Sequence, residues 1–228
     1  MSRFAKALIV SVVTALVGAG IFASVVRAEA GQFTAGSYAA EIGGFQTTTN
    51  TLSNGIRSVG CATASLATTN FAAASSLLYL GPSYANCTGN GNTTVTVDTE
   101  GCVYKFALTT KITATTGEGT LSILCSAGNS IVYDIWATGK SHSEAKLCRL
   151  ELPEQGPDIG VVYHVVTAGS GKKGIEVTMN INTLTIERTS GTAVNCGAAL
   201  KTSATWEGNL LFTATESGLG SAIDFYFD

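Results

Sequence analysis

The sequence predicts an all-β protein, an antiparallel β-sandwich or flattened barrel tied by disulfides. Three observations predict it. Six cysteines all follow an export signal, apolar residues alternate with polar ones around the clearest of them, and glycine and asparagine turns separate many short strand-like segments. Because no helical segments alternate with these strands, an antiparallel arrangement is favoured.

The N-terminal 30 residues have the layout of a secretory signal peptide. Arg3 and Lys6 precede an almost unbroken apolar run over residues 7–26, and Ala28-Glu29-Ala30 is the predicted cleavage site, with Val26-Arg27-Ala28 as the alternative. The run also approaches the roughly 20 residues of a membrane helix, so an uncleaved anchor is the competing interpretation. We predict a signal peptide at 1–30 and one secreted or cell-surface β domain at 31–228.

The charge of the chain bears on its partners. The full sequence carries 13 basic and 16 acidic side chains, a net charge of −3, and cleavage would remove more basic than acidic residues. Nucleic acid and anionic lipid need clustered Lys and Arg, which are missing here. The partners expected are envelope components, glycans or further copies of the chain. Nucleic acid is not expected, and membrane contact is expected only through an uncleaved N-terminal segment.

The cysteines lie in strand phase with apolar neighbours. Cys102 shares one face with Tyr104, Phe106 and Leu108, and Cys125 and Cys148 show the same alternation with the leucines and isoleucine near them. Buried cysteines in an oxidising compartment normally pair, and six of them allow fifteen connectivities. The pairing expected is Cys87 with Cys102, Cys125 with Cys148, and Cys61 with Cys196, because the first two pairs would close neighbouring strands.

The segment Pro153-Glu154-Gln155-Gly156-Pro157 is the one plausible linker, since its two prolines interrupt the strand pattern. Five cysteines precede it and one follows. If all six pair, at least one bridge must cross this segment, which favours a single domain.

Turn-forming residues divide the rest of the chain into strands. Asn54-Gly55 is a strong hairpin signal, and the glycine-rich segment 169–174 predicts another hairpin turn. Ala72–Leu80 is ambiguous between a short helix and a buried strand, and a change of phase near Asn182-Thr183 predicts a β-bulge or bend. The predicted strands are Thr47–Leu52, Ile56–Thr63, Thr93–Asp98, Val103–Ala114, Thr120–Cys125, Ser130–Ala137, Val161–Thr167, Ile175–Glu187, Thr202–Thr215 and Ser221–Phe227.

The surroundings of four cysteines resemble a family of exported, cysteine-containing bacterial β proteins to which no activity is assigned. The stretches that carry the resemblance are residues 84–88 (YANCT), 101–106 (GCVYKF), 125–131 (CSAGNSI) and 148–153 (CRLELP). The resemblance implies export and disulfides. It supplies no active-site residue.

The chain offers few residues for metal, cofactor or nucleophilic chemistry. Its two histidines are His142, in a polar segment, and His164, in a predicted strand. The G-x-S-x-G motif of a nucleophile elbow is absent, although His164, Asp158 and a distant serine could still form a triad. No cofactor, no metal site and no catalytic residue is predicted.

Paired carboxylates, as in glycoside hydrolases, depend on a separation in space that a sequence does not give. Each available acid is more simply an outward charge on a strand or loop. The acids are Asp134, Glu144, Glu151, Glu176, Glu187 and Glu207.

The two tryptophans are candidates for stacking on sugar rings. Trp206 shares strand phase with Leu210 and Phe212, which predicts burial, and Tyr133 is predicted to be packed between isoleucines. Trp136 lies on a mixed face with Val132 and Asp134, so we take Trp136 as the candidate surface ligand-binding residue.

The function favoured by these observations is a non-enzymatic secreted or cell-surface β domain with a structural, adhesive or binding role in the cell envelope. The alternative is a small extracellular carbohydrate-active enzyme. An outer-membrane β-barrel ranks last, because the chain ends on Asp228 instead of an aromatic residue.

Overall fold

The computed structural model describes residues 30–138, 146–197 and 200–228. The predicted signal peptide up to residue 29, His142 and Glu144 lie outside these ranges. The elements are β1 (Phe33–Thr34), β2 (Ala40–Gln46), β3 (Asn50–Ser53), β4 (Ser58–Phe71), β5 (Ala74–Ser75), β6 (Leu77–Gly89), β7 (Thr93–Asp98), β8 (Val103–Lys111), β9 (Thr116–Leu124), β10 (Ser130–Trp136), β11 (Lys146–Pro153), β12 (Gln155–Thr167), β13 (Lys173–Gly191), α1 (Ala193–Cys196), β14 (Lys201–Glu216), β15 (Ala222–Ile223) and β16 (Tyr226–Phe227).

The alternation seen in the sequence sets which side of each strand is buried. On β8, Tyr104, Phe106 and Leu108 are buried and the residues between them are partly exposed. On β13, Ile175, Val177, Met179 and Ile181 are buried in one phase. These inward side chains form a continuous apolar core. The predicted all-β fold is confirmed.

The strand pairing, which is antiparallel throughout, runs in closed circuits. From β6, hydrogen-bonded partners lead through β8, β9, β12, β13, β14, β2 and β4 back to β6. A second circuit runs from β6 through β7, β10, β11, β13, β14, β3 and β4. The long strands β4, β6, β13 and β14 belong to both. This arrangement fits a sandwich or flattened barrel, and closure of a sheet removes the free edges on which chains aggregate.

Local predictions about turns and bulges agree with the structure. The Asn54-Gly55 turn joins β3 to β4, which pair with each other, and the amide of Asn54 donates to the carbonyl of Arg57. The pairing of β13 with β14 shifts register between Ile181 and Leu184, where the sequence changes phase. The ambiguous segment Ala72–Leu80 holds β5 and the start of β6, so its strand interpretation is correct.

All six cysteines form disulfides, but each predicted pair is wrong. The bridges are Cys61–Cys87, Cys102–Cys125 and Cys148–Cys196. Cys61 and Cys87 are direct partners on β4 and β6. Cys87 therefore bonds to β4, which precedes β6 in the chain, and not to Cys102, which follows it. Cys102 and Cys125 lie just beyond the paired residues Val103 and Leu124 of β8 and β9.

The third bridge crosses the predicted linker. Cys148 on β11 lies opposite Gly191 at the end of β13, and α1 follows directly and brings Cys196 beside it. Pro153 ends β11 and Gln155 begins β12. Strands before and after the prolines therefore share one hydrogen-bonded sheet as well as a disulfide.

A small sheet of β16, β1 and β5 packs aromatic side chains into the core. Phe33, Phe225 and Phe227 are almost wholly buried there. Phe33 stacks on Phe225 at 6.2 Å between ring centroids and meets the edge of Tyr163 at 5.4 Å. The strand β16 therefore pairs with β1 and contributes the buried Phe227 to the core. In the described residues, no helix has the length and hydropathy needed to cross a membrane.

Candidate functional site

Trp136, the residue predicted to bind a ligand at the surface, is buried. It is 6% exposed, its indole Nε1 donates to Thr96 Oγ1 at 3.2 Å, and the Lys146 ammonium lies 5.0 Å from its ring centroid. The expected surface exposure of Trp136 is wrong because β10 lies between β7 and β11, and Thr96 of β7 and Lys146 of β11 contact the indole ring. Trp206 and Tyr133 are buried, as predicted.

An ion-pair cluster lies on the same face as Trp136. Arg149 donates from Nε and Nη2 to the two carboxylate oxygens of Asp134, both at 2.8 Å, and Lys146 Nζ donates to Asp134 Oδ2 at 2.9 Å. The hydrogen bonds from Arg149, reinforced by Lys146, hold the pKa of Asp134 below its usual range. Asp134 is therefore a charged partner that joins β10 to β11.

Other acids from the sequence also connect strands. Glu151 accepts from the Thr189 hydroxyl at 2.7 Å, and Glu187 pairs with Lys201 at 2.7 Å. Glu176 accepts a hydrogen bond from the Thr47 hydroxyl at 3.1 Å. Each of these contacts joins different strands or a strand to a loop, which agrees with the interpretation of these acids as outward structural charges.

His164 lies half-buried on β12, opposite Glu176 on β13. Over residues 30–138, 146–197 and 200–228, no group of three or more His, Cys, Asp or Glu side chains is placed to hold a metal ion. The six cysteines are committed to disulfides.

A surface around β15 combines exposed aromatic rings with charged groups. One cavity of about 300 Å³ is lined by Tyr38, Lys172, Ile223, Asp224 and Tyr226. A second cavity of about 250 Å³ lies beside it, because Ile223 lines both. Phe45, Lys173 and the turn after β12 line the second cavity. We call the surface formed by the two cavities the β15 face.

Backbone hydrogen bonds hold the β15 face in place. The amide of Lys173 donates to Asp224 Oδ1 at 2.8 Å, and the amide of Phe225 donates to the carbonyl of Lys173 at 3.0 Å. The buried ring of Phe225 therefore anchors the exposed Asp224 and the half-buried Tyr226 on either side of it. The Lys173 ammonium lies 4.8 Å from the Tyr226 ring centroid.

Sequence reasoning did not select this surface. Tyr38, Phe45 and Asp224 come from distant parts of the chain, and pairing of β1 with β16 and of β2 with β14 brings them near one another. A local signal did exist. The order Asp224, Phe225, Tyr226, Phe227 places Tyr226 on the face opposite the two phenylalanines.

A cavity of about 430 Å³ lies where β12 and β13 separate near the β-bulge. Its lining includes Glu154, Gln155, Glu187 and Lys201. The Gln155 amide spans the gap, because its Oε1 accepts from the Thr185 amide at 2.9 Å and its Nε2 donates to the Thr185 carbonyl. Two carboxylates thus line this cleft, one of them paired with Lys201.

Comparison of the chain with models of protein families, with curated proteins and with solved structures gives no match.

Proposed function

We propose that the chain acts as a non-enzymatic secreted or cell-surface β domain with a structural, adhesive or binding role in the cell envelope. The observation that supports this proposal is the closed sheet with its three disulfides. One disulfide joins β4 to β6, one joins the residues next to the paired ends of β8 and β9, and one joins β11 to α1. Such bridges form and persist in oxidising compartments. A sheet without long free edges also offers little unpaired backbone on which other chains could add.

The use of its charged groups supports the non-enzymatic part of the proposal. Asp134, Glu151, Glu176 and Glu187 each contact a neighbouring strand or loop. A carboxyl that acts as a general acid near neutral pH needs a raised pKa, whereas Arg149 holds the pKa of Asp134 below its usual range.

The proposal is tested by export of the full chain in a bacterial host. We expect the chain to leave the cytoplasm, to lose its first 30 residues and to give peptides linked as Cys61–Cys87, Cys102–Cys125 and Cys148–Cys196 in a non-reducing map. The control replaces Val12→Arg and Val13→Arg, which interrupts the apolar run and should keep the protein inside. A wild-type chain that stays in the cytoplasm at full length with free thiols would refute the proposal.

A second candidate function, a carbohydrate-active enzyme, is favoured by one observation. Glu154 and Glu187 line the same cleft of about 430 Å³. If this cleft hydrolyses glycans, turnover must be lost in both Glu154→Gln and Glu187→Gln while Glu207→Gln, an acid outside the lining, retains it. Turnover that is equal in all three variants excludes this cleft as the active site.

A further inference from the structure

We propose that the gap between β12 and β13 binds an extended, basic segment of a partner polypeptide, which adds to β13 as a further strand. The inference deepens the binding role proposed above and rests on it. The last direct pair of the two strands is Val162 with Thr178, and the next partner of β13 on this side is β11, at Glu187. Between Thr178 and Glu187, in the part of the chain that the structure describes, β13 pairs with β14 alone. Its other edge therefore presents backbone N–H and C=O groups to an incoming strand.

The Gln155 side chain shows which chemical group this edge binds. Seven residues along each strand from the last direct pair, Gln155 stands opposite Thr185. Its Oε1 accepts from the Thr185 amide at 2.9 Å and its Nε2 donates to the Thr185 carbonyl. A residue of a paired antiparallel strand would supply the same acceptor and the same donor. The side chain therefore occupies the place of a strand residue, and a polypeptide backbone can replace it.

The cleft in this gap has room for such a strand. Its volume is about 430 Å³, within the range of ligand pockets, and its lining on β13 runs from Thr183 to Glu187. This stretch matches about five residues, or about 16 Å, of extended chain. On β12 the lining includes Gly156, where an added Cβ would meet no atom within 4 Å. A glycine inside a strand often marks the close approach of another backbone.

The charges in the cleft favour a basic segment. Glu154 and Glu187 both line it, and Lys201 is the one basic side chain among the described residues of the lining. Lys201 already pairs with Glu187 at 2.7 Å. The carboxylate of the exposed Glu154 is therefore left to attract a Lys or Arg of the segment.

The partner is a different polypeptide, because a second copy of the chain has no strand of this length to donate. Among residues 30–138, 146–197 and 200–228, the strands with a single neighbour are β5, β15 and β16, and each has two residues. Every other described strand has neighbours on both sides. The segment must therefore come from another protein.

The test is an NMR titration of the mature, disulfide-bonded protein with the capped pentapeptide TVKVT. Amide shifts should concentrate at residues 153–156 and 183–187. The peptide TVEVT should bind about threefold more weakly, the scale of one exposed ion pair. TVKVT that is methylated on the backbone nitrogens of its three central residues should not bind, because strand pairing needs N–H donors.

Three variants of the protein test the site itself. Gln155→Ala should bind TVKVT about fivefold more tightly, because no side chain then competes for the Thr185 backbone. Gly156→Val should weaken binding at least about tenfold, since the added side chain enters the cleft. Gly160→Val is the matched control, because Gly160 also lies on β12 in open space but does not line the cleft. It should leave affinity unchanged, and circular dichroism checks that every variant folds.

The inference is overturned by no shift at millimolar TVKVT, by equal binding of the methylated peptide, by weaker binding to Gln155→Ala, or by equal affinities of Gly156→Val and Gly160→Val. Wild-type dimers that Gly156→Val abolishes would assign the gap to a second copy instead. Glycan turnover that both Glu154→Gln and Glu187→Gln remove would assign the cleft to the second candidate function.

None of these outcomes bears on export, cleavage or disulfide pairing, which the fractionation experiment measures separately. Failure of the peptide site is therefore distinguishable from failure of the proposed extracellular role.

Discussion

Asp134 is the residue whose ionisation contributes most clearly to folding. Arg149 and Lys146 donate to both of its oxygens and keep its pKa below the usual value. A carboxyl with a depressed folded-state pKa stabilises the fold fully above its unfolded pKa, about 4, and this stabilisation is lost as the pH falls through the lower folded value. The ion pair between β10 and β11 should therefore weaken in acid.

We expect Asp134→Asn to lower the free energy of unfolding by about 1 kcal/mol at pH 7, the contribution of charged hydrogen bonds whose carboxylate is 14% exposed and whose basic partners are partly exposed. The loss should be smaller at an acidic pH below the usual range of an aspartate, because the wild-type carboxyl loses this stabilisation as the pH falls through its lowered pKa. Urea denaturation at both pH values measures this.

The control for Asp134 is Lys201→Gln. The ammonium of Lys201 pairs with Glu187, but the lysine side chain is 72% exposed, so its removal should change stability by less than about 0.5 kcal/mol. An equal loss for Asp134→Asn at both pH values would contradict the ionic explanation.

Gly119 lies at a position where the neighbouring strand and a tyrosine ring leave no space for a side chain. A Cβ at this position would overlap the carbonyl oxygen of Ala107 on β8 and lie 2.8 Å from the Tyr163 ring. The close approach lets the Tyr163 hydroxyl donate to the same Ala107 carbonyl at 3.3 Å. Only glycine allows the ring to cover the strand at this point.

We expect Gly119→Ala to destabilise the protein by about 3 kcal/mol, because backbone on β8 must move. Gly43→Ala is its matched control, since a Cβ on that strand glycine meets nothing within 4 Å. Thermal unfolding compares the two. A Gly119→Ala variant as stable as Gly43→Ala would show that β8 and β9 are not packed as described.

At the scale of elements, Gln155 replaces a missing backbone partner. Its amide bonds both the N–H and the carbonyl of Thr185 where β12 and β13 no longer pair directly. We expect Gln155→Ala to cost about 1 to 2 kcal/mol and to speed hydrogen exchange of the Thr185 amide. Glu154→Ala, at the neighbouring position in the same cleft, should leave that amide protected. Unchanged exchange in Gln155→Ala would contradict this role.

The strands and their buried sides were predictable from the sequence because both depend on the local alternation of apolar and polar residues. Tyr104, Phe106 and Leu108 show the buried side of β8 without knowledge of any other strand, and the phase change at Asn182-Thr183 marks the bulge. The disulfide pairs were not predictable, because Cys87 on β6 lies beside β4 as well as β7. The burial of Trp136 depends on side chains of neighbouring strands, such as Thr96, and was not predictable from the strand that holds it. Tyr38 and Asp224 come together only when β1 pairs with β16, which no local pattern shows.

At the scale of the whole molecule, the C-terminal segment closes the core and builds the β15 face. Phe225 stacks on Phe33 and meets Phe71 edge-on at 5.5 Å between centroids. Two hydrogen bonds between Gln32 and Asp228 extend the pairing of β1 and β16. The residues before and after Phe225 are Asp224 and Tyr226, both at the first cavity. Packing of the Phe225 ring therefore positions the exposed Asp224 and the half-buried Tyr226.

We expect Phe225→Ala to lower the free energy of unfolding by about 3 to 5 kcal/mol, the range for removing a buried phenylalanine. Exchange of the Gln32 and Asp228 amides should also speed up, because the strand that bonds them loses its anchor. Leu219→Ala, at a 72% exposed position in a nearby turn, should stay within about 0.5 kcal/mol of wild type. If Phe225→Ala unfolds like wild type and keeps both amides protected, then β1 and β16 are held by their backbone alone. Asp224 and Tyr226 would in that case need no buried anchor between them.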